Sequence, residues 1–295
     1  MIRLLNLIIF LSICLNQNFA KAQILGHYSE NKFDLKGNVK ELFYGNYYVI
    51  EKNGQYFKGE KINESFLDDY QKYYFNENGL IAKEESYKID NSLRYSVTNS
   101  FDSFGKILSE KSSNGGYSKY QYNDDKLLVN TYLYDEDNNL LTFDNYRYNE
   151  KNQLIESNNG TTITKYIYNE NGLLIKRENY DSKELKLKEY LNKKTKSKNW
   201  TEFKYNNNSI KIEEVVYRID ENGKTIKNVT NYFYDNYGNL ILENVTIGKD
   251  ENENYYSKFQ KSYIYEYDNK GNWIKCIFFN DEKPITYIER ILKYY

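Results

Sequence analysis

Apolar positions along this chain fall on alternate residues in short runs, with polar residues between them. The aromatics show it best: Tyr120/Tyr122, Tyr132/Tyr134, Tyr146/Tyr148, Tyr166/Tyr168, Phe203/Tyr205, Tyr232/Tyr234 and Tyr263/Tyr265/Tyr267. A period of two places each set on one face of a strand. After a short polar break the chain returns to Ile81, Ile107, Leu128, Leu140, Leu154, Leu174, Leu240 or Trp273. Aromatic and branched side chains suit cross-strand pairing on a pleated surface. Proline is confined to Pro284, so nothing bars continuous pairing. Leu185, Leu187, Tyr190 and Leu191 in Ser182 to Asn192 fit helix and strand equally; the neighbouring strands favour strand. The pattern therefore predicts an all-β chain, an antiparallel array of repeated β-hairpins.

The polar breaks share a spelling: Asp or Asn, two free residues, then Gly. It occurs as Asn76 to Gly79, Asp102 to Gly105, Asn169 to Gly172, Asp235 to Gly238 and Asp268 to Gly271. In a three-residue hairpin loop, a type I turn is followed by one left-handed residue that makes a bulge. Asp or Asn suits the first position, because its side chain accepts from backbone N–H groups further on. Gly suits the last, where φ is positive. Asn is the usual substitute there, and it stands at Asn138 and Asn152. Asp220 to Gly223 keeps the frame behind Ile219, while the copies at Asn123 and Asn206 are degenerate. The frame predicts hairpin turns, so these residues are structural rather than catalytic. Between copies, Asp90-Asn91, Asn114-Gly115-Gly116, Asn158-Asn159-Gly160 and Lys249 to Asn254 read as return turns, and Asn53-Gly54 as a type I′ hairpin. The interval between copies is uneven, which implies hairpins of varied length.

The ends differ from the middle. Met1-Ile2-Arg3, the apolar run Leu4 to Leu15 and Ala20-Lys21-Ala22 read as a signal peptide over residues 1–22, with Gln23 as the mature start. Ile13 before Cys14 is a poor fit to a lipoprotein signal. Residues 23–66 lack the clean frame and read as an N-terminal β cap; residues 67–295 read as the repeat domain with a C-terminal cap. Export is thus expected, to the periplasm, the cell surface or beyond, with no apolar run long enough for a membrane span.

Composition narrows the chemistry. Cleavage after Ala22 would leave Cys276 as the last cysteine, so no intramolecular disulfide is expected. It would also remove two positive charges from a chain of formal net charge −1, which disfavours nucleic acid as a partner. His27 is the single histidine, so zinc sites and Ser-His-Asp triads lack members. No glycine-rich phosphate loop opens a helix. No cofactor or metal is expected. Glu84-Glu85, Asp124-Asp125 and Glu213-Glu214 are adjacent, and adjacent strand residues point to opposite faces. Acids from neighbouring hairpins could still form a hydrolase pair. Asp135 to Asn139 fits a turn better than a calcium loop, for want of the loop's Gly and Glu. Lys193 to Lys198 reads as a solvated basic loop. Trp200 and Trp273 are candidate flat platforms for a sugar ligand, against the plainer reading of cross-strand packing.

The phrases Tyr232-Phe233-Tyr234-Asp235-Asn236-Tyr237-Gly238-Asn239-Leu240 and Tyr265-Glu266-Tyr267-Asp268-Asn269-Lys270-Gly271-Asn272-Trp273 resemble the YD repeat of RHS-type proteins. That motif is seen in bacterial RHS and toxin-complex shells and in teneurins. Looser copies extend the resemblance over about residues 73 to 280. The resemblance implies hairpins laid side by side into a curved, spiralling sheet, with structural Tyr, Asp and Gly. The chain departs from large members in being too short to enclose a toxin, and looks more like small secreted proteins with a few such repeats. The sequence thus predicts an exported, non-catalytic protein that binds or scaffolds another macromolecule outside the cytoplasm. Protein is preferred over glycan, through a concave aromatic face or an open terminal edge. The alternatives are a glycan-binding module using exposed aromatics and a hydrolase.

Overall fold

The computed structural model describes Phe33 and residues 35–62, 70–183, 199–220, 223–249 and 256–295. The expected signal peptide, His27, the basic run Lys193 to Lys198 and most of Ser182 to Asn192 lie outside them. The described residues form nineteen antiparallel strands. They are β1 (Val39–Lys52), β2 (Gln55–Lys61), β3 (Tyr70–Phe75), β4 (Ile81–Tyr87), β5 (Leu93–Phe101), β6 (Ile107–Ser112), β7 (Tyr117–Tyr122), β8 (Leu128–Tyr134), β9 (Leu140–Tyr148) and β10 (Leu154–Asn158). There follow β11 (Thr162–Tyr168), β12 (Leu174–Asp181), β13 (Asn199–Tyr205), β14 (Lys211–Ile219), β15 (Thr225–Tyr234), β16 (Leu240–Lys249), β17 (Ser257–Tyr267), β18 (Trp273–Asn280) and β19 (Lys283–Tyr294).

The expectation of an open, spiralling sheet is corrected. Each strand from β3 to β18 pairs with its successor, and β1 pairs with both β3 and β19. The eighteen strands β1 and β3–β19 close into a barrel, and β2 pairs with the far half of β1. The seam runs from Val39↔Tyr294 to Tyr47↔Tyr287. Nothing local spells this pairing, because its partners lie at opposite ends of the sequence. Closure satisfies the backbone groups that open terminal strands would present.

The turns explain the spelling of the repeat. In the Asp235 copy, the Asp235 N–H donates to the Asn239 carbonyl at 2.9 Å and the Gly238 N–H to the Asp235 carbonyl at 3.1 Å. Asp235 Oδ1 also accepts from the Tyr237 and Asn239 N–H groups, each at 2.8 Å. The same backbone pair of bonds recurs at Asn76, Asp102, Asn123, Asp135, Asn149, Asn169, Asn206, Asp220 and Asp268. The fourth residue is left-handed throughout: Gly79, Gly105, Gly172, Gly238 and Gly271 have φ between 71° and 87°, and Asn138, Asn152, Lys126 and Ser209 between 59° and 64°.

A register shift follows the first strand residue after nearly every such turn. Between β7 and β8, Gln121 faces Asn130 while Tyr122 faces Leu128, so Val129 is the extra residue of a bulge. The bulge brings Leu128 onto the same face as Tyr120 and Tyr122. Applied hairpin after hairpin, this gathers Ile107, Leu128, Leu174, Leu240 and Trp273 on one face, where all are buried. Most buried strand side chains lie on this face, as crowding on the concave side of a closed sheet requires. The opposite, outer face carries ion pairs: Lys83–Glu85, Lys176–Glu178, Lys204–Glu213 and Lys275–Glu266.

Candidate functional site

Where a tyrosine precedes a first-rim turn it points inward, and its hydroxyl staples that hairpin to the one before it. The Tyr148 hydroxyl donates to the Leu128 carbonyl at 2.8 Å, Tyr168 to Leu154 at 2.8 Å, and Tyr205 to Leu174 at 2.9 Å. Tyr122 does the same to Ile107 at 2.9 Å and Tyr234 to Lys211 at 2.8 Å. Burial pushes the phenols of Tyr122, Tyr148 and Tyr168 up to about 12, so they stay protonated and donating.

Between these staples the inner wall carries acids, each engaged. Tyr120 donates to Glu110, and Tyr263 donates to Glu243 at 2.7 Å. Glu214 accepts from Lys211 at 2.8 Å and from Tyr232 at 3.3 Å. Burial raises the Asp144 carboxyl above its ordinary range, with a hydrogen bond from Thr131 pulling the other way. Glu84 and Glu214 face inward; their sequence neighbours Glu85 and Glu213 face outward. Outer Glu85 is buried, and it accepts from Lys83, Tyr74 and Tyr87. Burial would raise its carboxyl, but these donors win and hold it at about 2.

The candidate platforms lie on opposite faces. Trp200 is on the outer face, stacked on Tyr217 at 4.7 Å and 8°, with its Nε1–H donated to Glu202. Trp273 is buried on the inner face, its ring covered by the Arg290 guanidinium at 3.4 Å and edged by Tyr44 and Tyr265. More exposed rings lie elsewhere: Tyr256 is 81% exposed, and Phe104 and Tyr237, 70% and 65% exposed, each occupy the same slot of a repeat turn. Asp135 and Asn139 make a turn of the same kind. Among the described residues no group of His, Cys, Asp or Glu is placed to hold a metal ion.

The repeat turns divide between two rims. Those at Asn76, Asp102, Asn123, Asn149, Asn169, Asn206, Asp235 and Asp268 join odd to even strands and share one rim. Those at Asp135 and Asp220 sit on the other, which is why the interval in sequence is uneven. On the first rim, Asp268 and Asp235 each build a triad that sequence reading missed. Tyr294 donates to Asp268 and accepts from Asn272 Nδ2 at 2.8 Å. Tyr267 donates to Asp235 at 2.7 Å and accepts from Asn239 Nδ2 at 2.8 Å. The available signal was the Asn after the turn Gly, present in these two copies as Gly238-Asn239 and Gly271-Asn272.

No protein-family model and no curated protein matches the chain. Among solved structures it is similar to part of the TcdB2–TccC3–Cdc42 complex, at 16% identity and a TM-score of 0.40 over 75% of this chain. It is also similar to part of the Tc holotoxin pore of Photorhabdus luminescens, at 16% identity and a TM-score of 0.39 over 76% of this chain. The chain spans 12% of the length of those toxin chains. A porin-like protein from Bacteroides uniformis aligns at 10% identity and a TM-score of 0.42, over 88% of this chain and 98% of its own.

Proposed function

We propose that this chain is an exported, non-catalytic, YD-like β-repeat barrel that works in water, binding or scaffolding another macromolecule outside the cytoplasm, a protein before a glycan. The observation that carries this reading is the chemistry of the two faces. The outer face is laced with Lys–Glu pairs, and the inner wall holds Glu110, Asp144, Glu214 and Glu243. A membrane barrel needs one apolar face about 25 Å tall, and a midplane Lys or Arg there costs about 2–4 kcal/mol. Strands such as β6, β8, β10 and β13 have only five to seven residues, against the roughly 9–11 that a span needs. No described helix is long and apolar enough to cross a membrane either. The inner acids are engaged by hydroxyls or a lysine, which supports a structural rather than a catalytic role for them.

Closure removes the seam edges of β1 and β19 as a strand-addition route, so the faces, the rims and the outer edge of β2 remain for a partner. The test is affinity capture from native envelope extract in detergent-free buffer, with Phe104→Ser/Tyr237→Ser as the comparison. The reading expects a soluble chain and a partner depleted by the double variant. Equal recovery by both proteins, a need for detergent, or hydrolysis of a glycoside or peptide panel contradicts it.

A further inference from the structure

The Asp268–Asn272–Tyr294 triad is occupied by the chain's own backbone. The Lys36 N–H donates to Asn272 Oδ1 at 2.6 Å, and Asn272 Nδ2 donates to the Lys36 carbonyl at 2.9 Å. A side-chain amide here pairs with a main-chain residue as a neighbouring strand would. Tyr294 and Asp268 fix the amide's orientation, and Asn272 is 2% exposed. The Lys36 ammonium then reaches the carbonyl of Gly271, the turn glycine, at 3.2 Å.

The Asp235–Asn239–Tyr267 triad repeats this construction one hairpin away. Its Asn N–H is held by the turn Asp at 2.8 Å, against 2.9 Å in the occupied copy. Its amide nitrogen meets the Tyr hydroxyl at 2.8 Å in both. The difference lies in the third contact. Asn239 Oδ1 accepts no hydrogen bond from a described residue, and its remaining N–H turns back to Asp235 at 3.3 Å. Asn239 is half-buried rather than sealed, and Tyr237 beside it is mostly exposed. The Lys36 ammonium, held by the Gly271 carbonyl, lies 6.0 Å from the Tyr237 ring, whose exposed part is left for a further contact. At the corresponding position the other first-rim turns carry Leu80, Lys106, Leu127, Gln153, Leu173 or Ile210, and none joins an Asp and a Tyr in this way.

We propose that Asp235, Asn239 and Tyr267 form a docking site for an extended, lysine-bearing segment of a partner protein, read through one backbone amide by Asn239, with the lysine against Gly238 and Tyr237. The proposal rests on the binding role above and names its partner chemistry. The probe is a fluorescein-labelled peptide Phe-Asp-Leu-Lys-Gly-Asn, copied from residues 33–38, titrated into the full chain and followed by anisotropy. Saturable binding is expected, weakened at least tenfold by Asn239→Leu, by the surface change Tyr237→Ala, and by N-methylating the lysine amide of the peptide. Equal affinity of the N-methylated peptide, or of both variants, overturns the site. Capture of the same partner by wild type and Asn239→Leu overturns the site alone, whereas no captured partner with peptide binding intact overturns the wider reading.

Discussion

A left-handed backbone at the fourth position of each turn is a requirement that Gly meets at least strain, and its cost can be measured. Gly238 has φ +87°, a region that β-branched residues avoid. Gly238→Val is expected to lose about 1–3 kcal/mol and Gly238→Asn much less; thermal melts compare them, and equal melting temperatures contradict the turn. The preceding tyrosine is needed for its hydroxyl. Tyr148→Phe leaves the Leu128 carbonyl without its donor and should cost about 1–3 kcal/mol by denaturant titration. Glu85 adds a pH signature. Its carboxyl sits at about 2, below its ordinary value, so its stabilisation is full at neutral pH and fades as pH falls through 4 toward 2. Glu85→Gln should therefore melt well below wild type at pH 7, with the gap closing near pH 2. At this scale the sequence was informative because turn and alternation are local. The triads were not legible, since Asn239 and Asn272 look like ordinary loop polar residues until Tyr267 and Tyr294 arrive from the next strand.

A hairpin here is two short strands, a left-handed turn residue and one bulge. The bulge decides which face the following strand presents. If Val129 entered the ladder instead of standing out of it, pairing from that point onward would slip by one and send Thr131 and Leu133 to the outer face. Deletion of Val129 keeps every other β7–β8 pair and is expected to leave a cooperatively melting protein, whereas insertion of one residue between Thr131 and Tyr132 reverses the facing of the rest of β8 and is expected to abolish it; similar melts for the two would remove the bulge from the account. Period-two alternation announced antiparallel hairpins but not the bulge, because an extra residue beside a turn looks like a longer loop. The copies at Asp135 and Asp220 were equally opaque. Their spelling matches the rest, and only strand order puts them on the opposite rim.

The whole molecule is a barrel whose two ends meet. That closure turns a row of hairpins into a frame with a defined inside, and it leaves faces, rims and the outer edge of β2 for a partner. It could not be read in advance, because the pairing of Val39–Tyr47 with Tyr287–Tyr294 joins strands from opposite ends of the sequence and no motif encodes it. The most direct test is a disulfide across the seam. Phe43 and Ile291 are register partners on the outer face. Phe43→Cys/Ile291→Cys, made in the otherwise cysteine-free chain with Cys14 and Cys276 as serine, should form an intramolecular disulfide under mild oxidation in detergent-free buffer. Phe43→Cys/Ser109→Cys, which pairs β1 with the distant β6, should not. A cross-linked peptide joining both ends of the chain in the first variant alone is the predicted result. Free thiols, or disulfides only between molecules, would contradict the closed barrel.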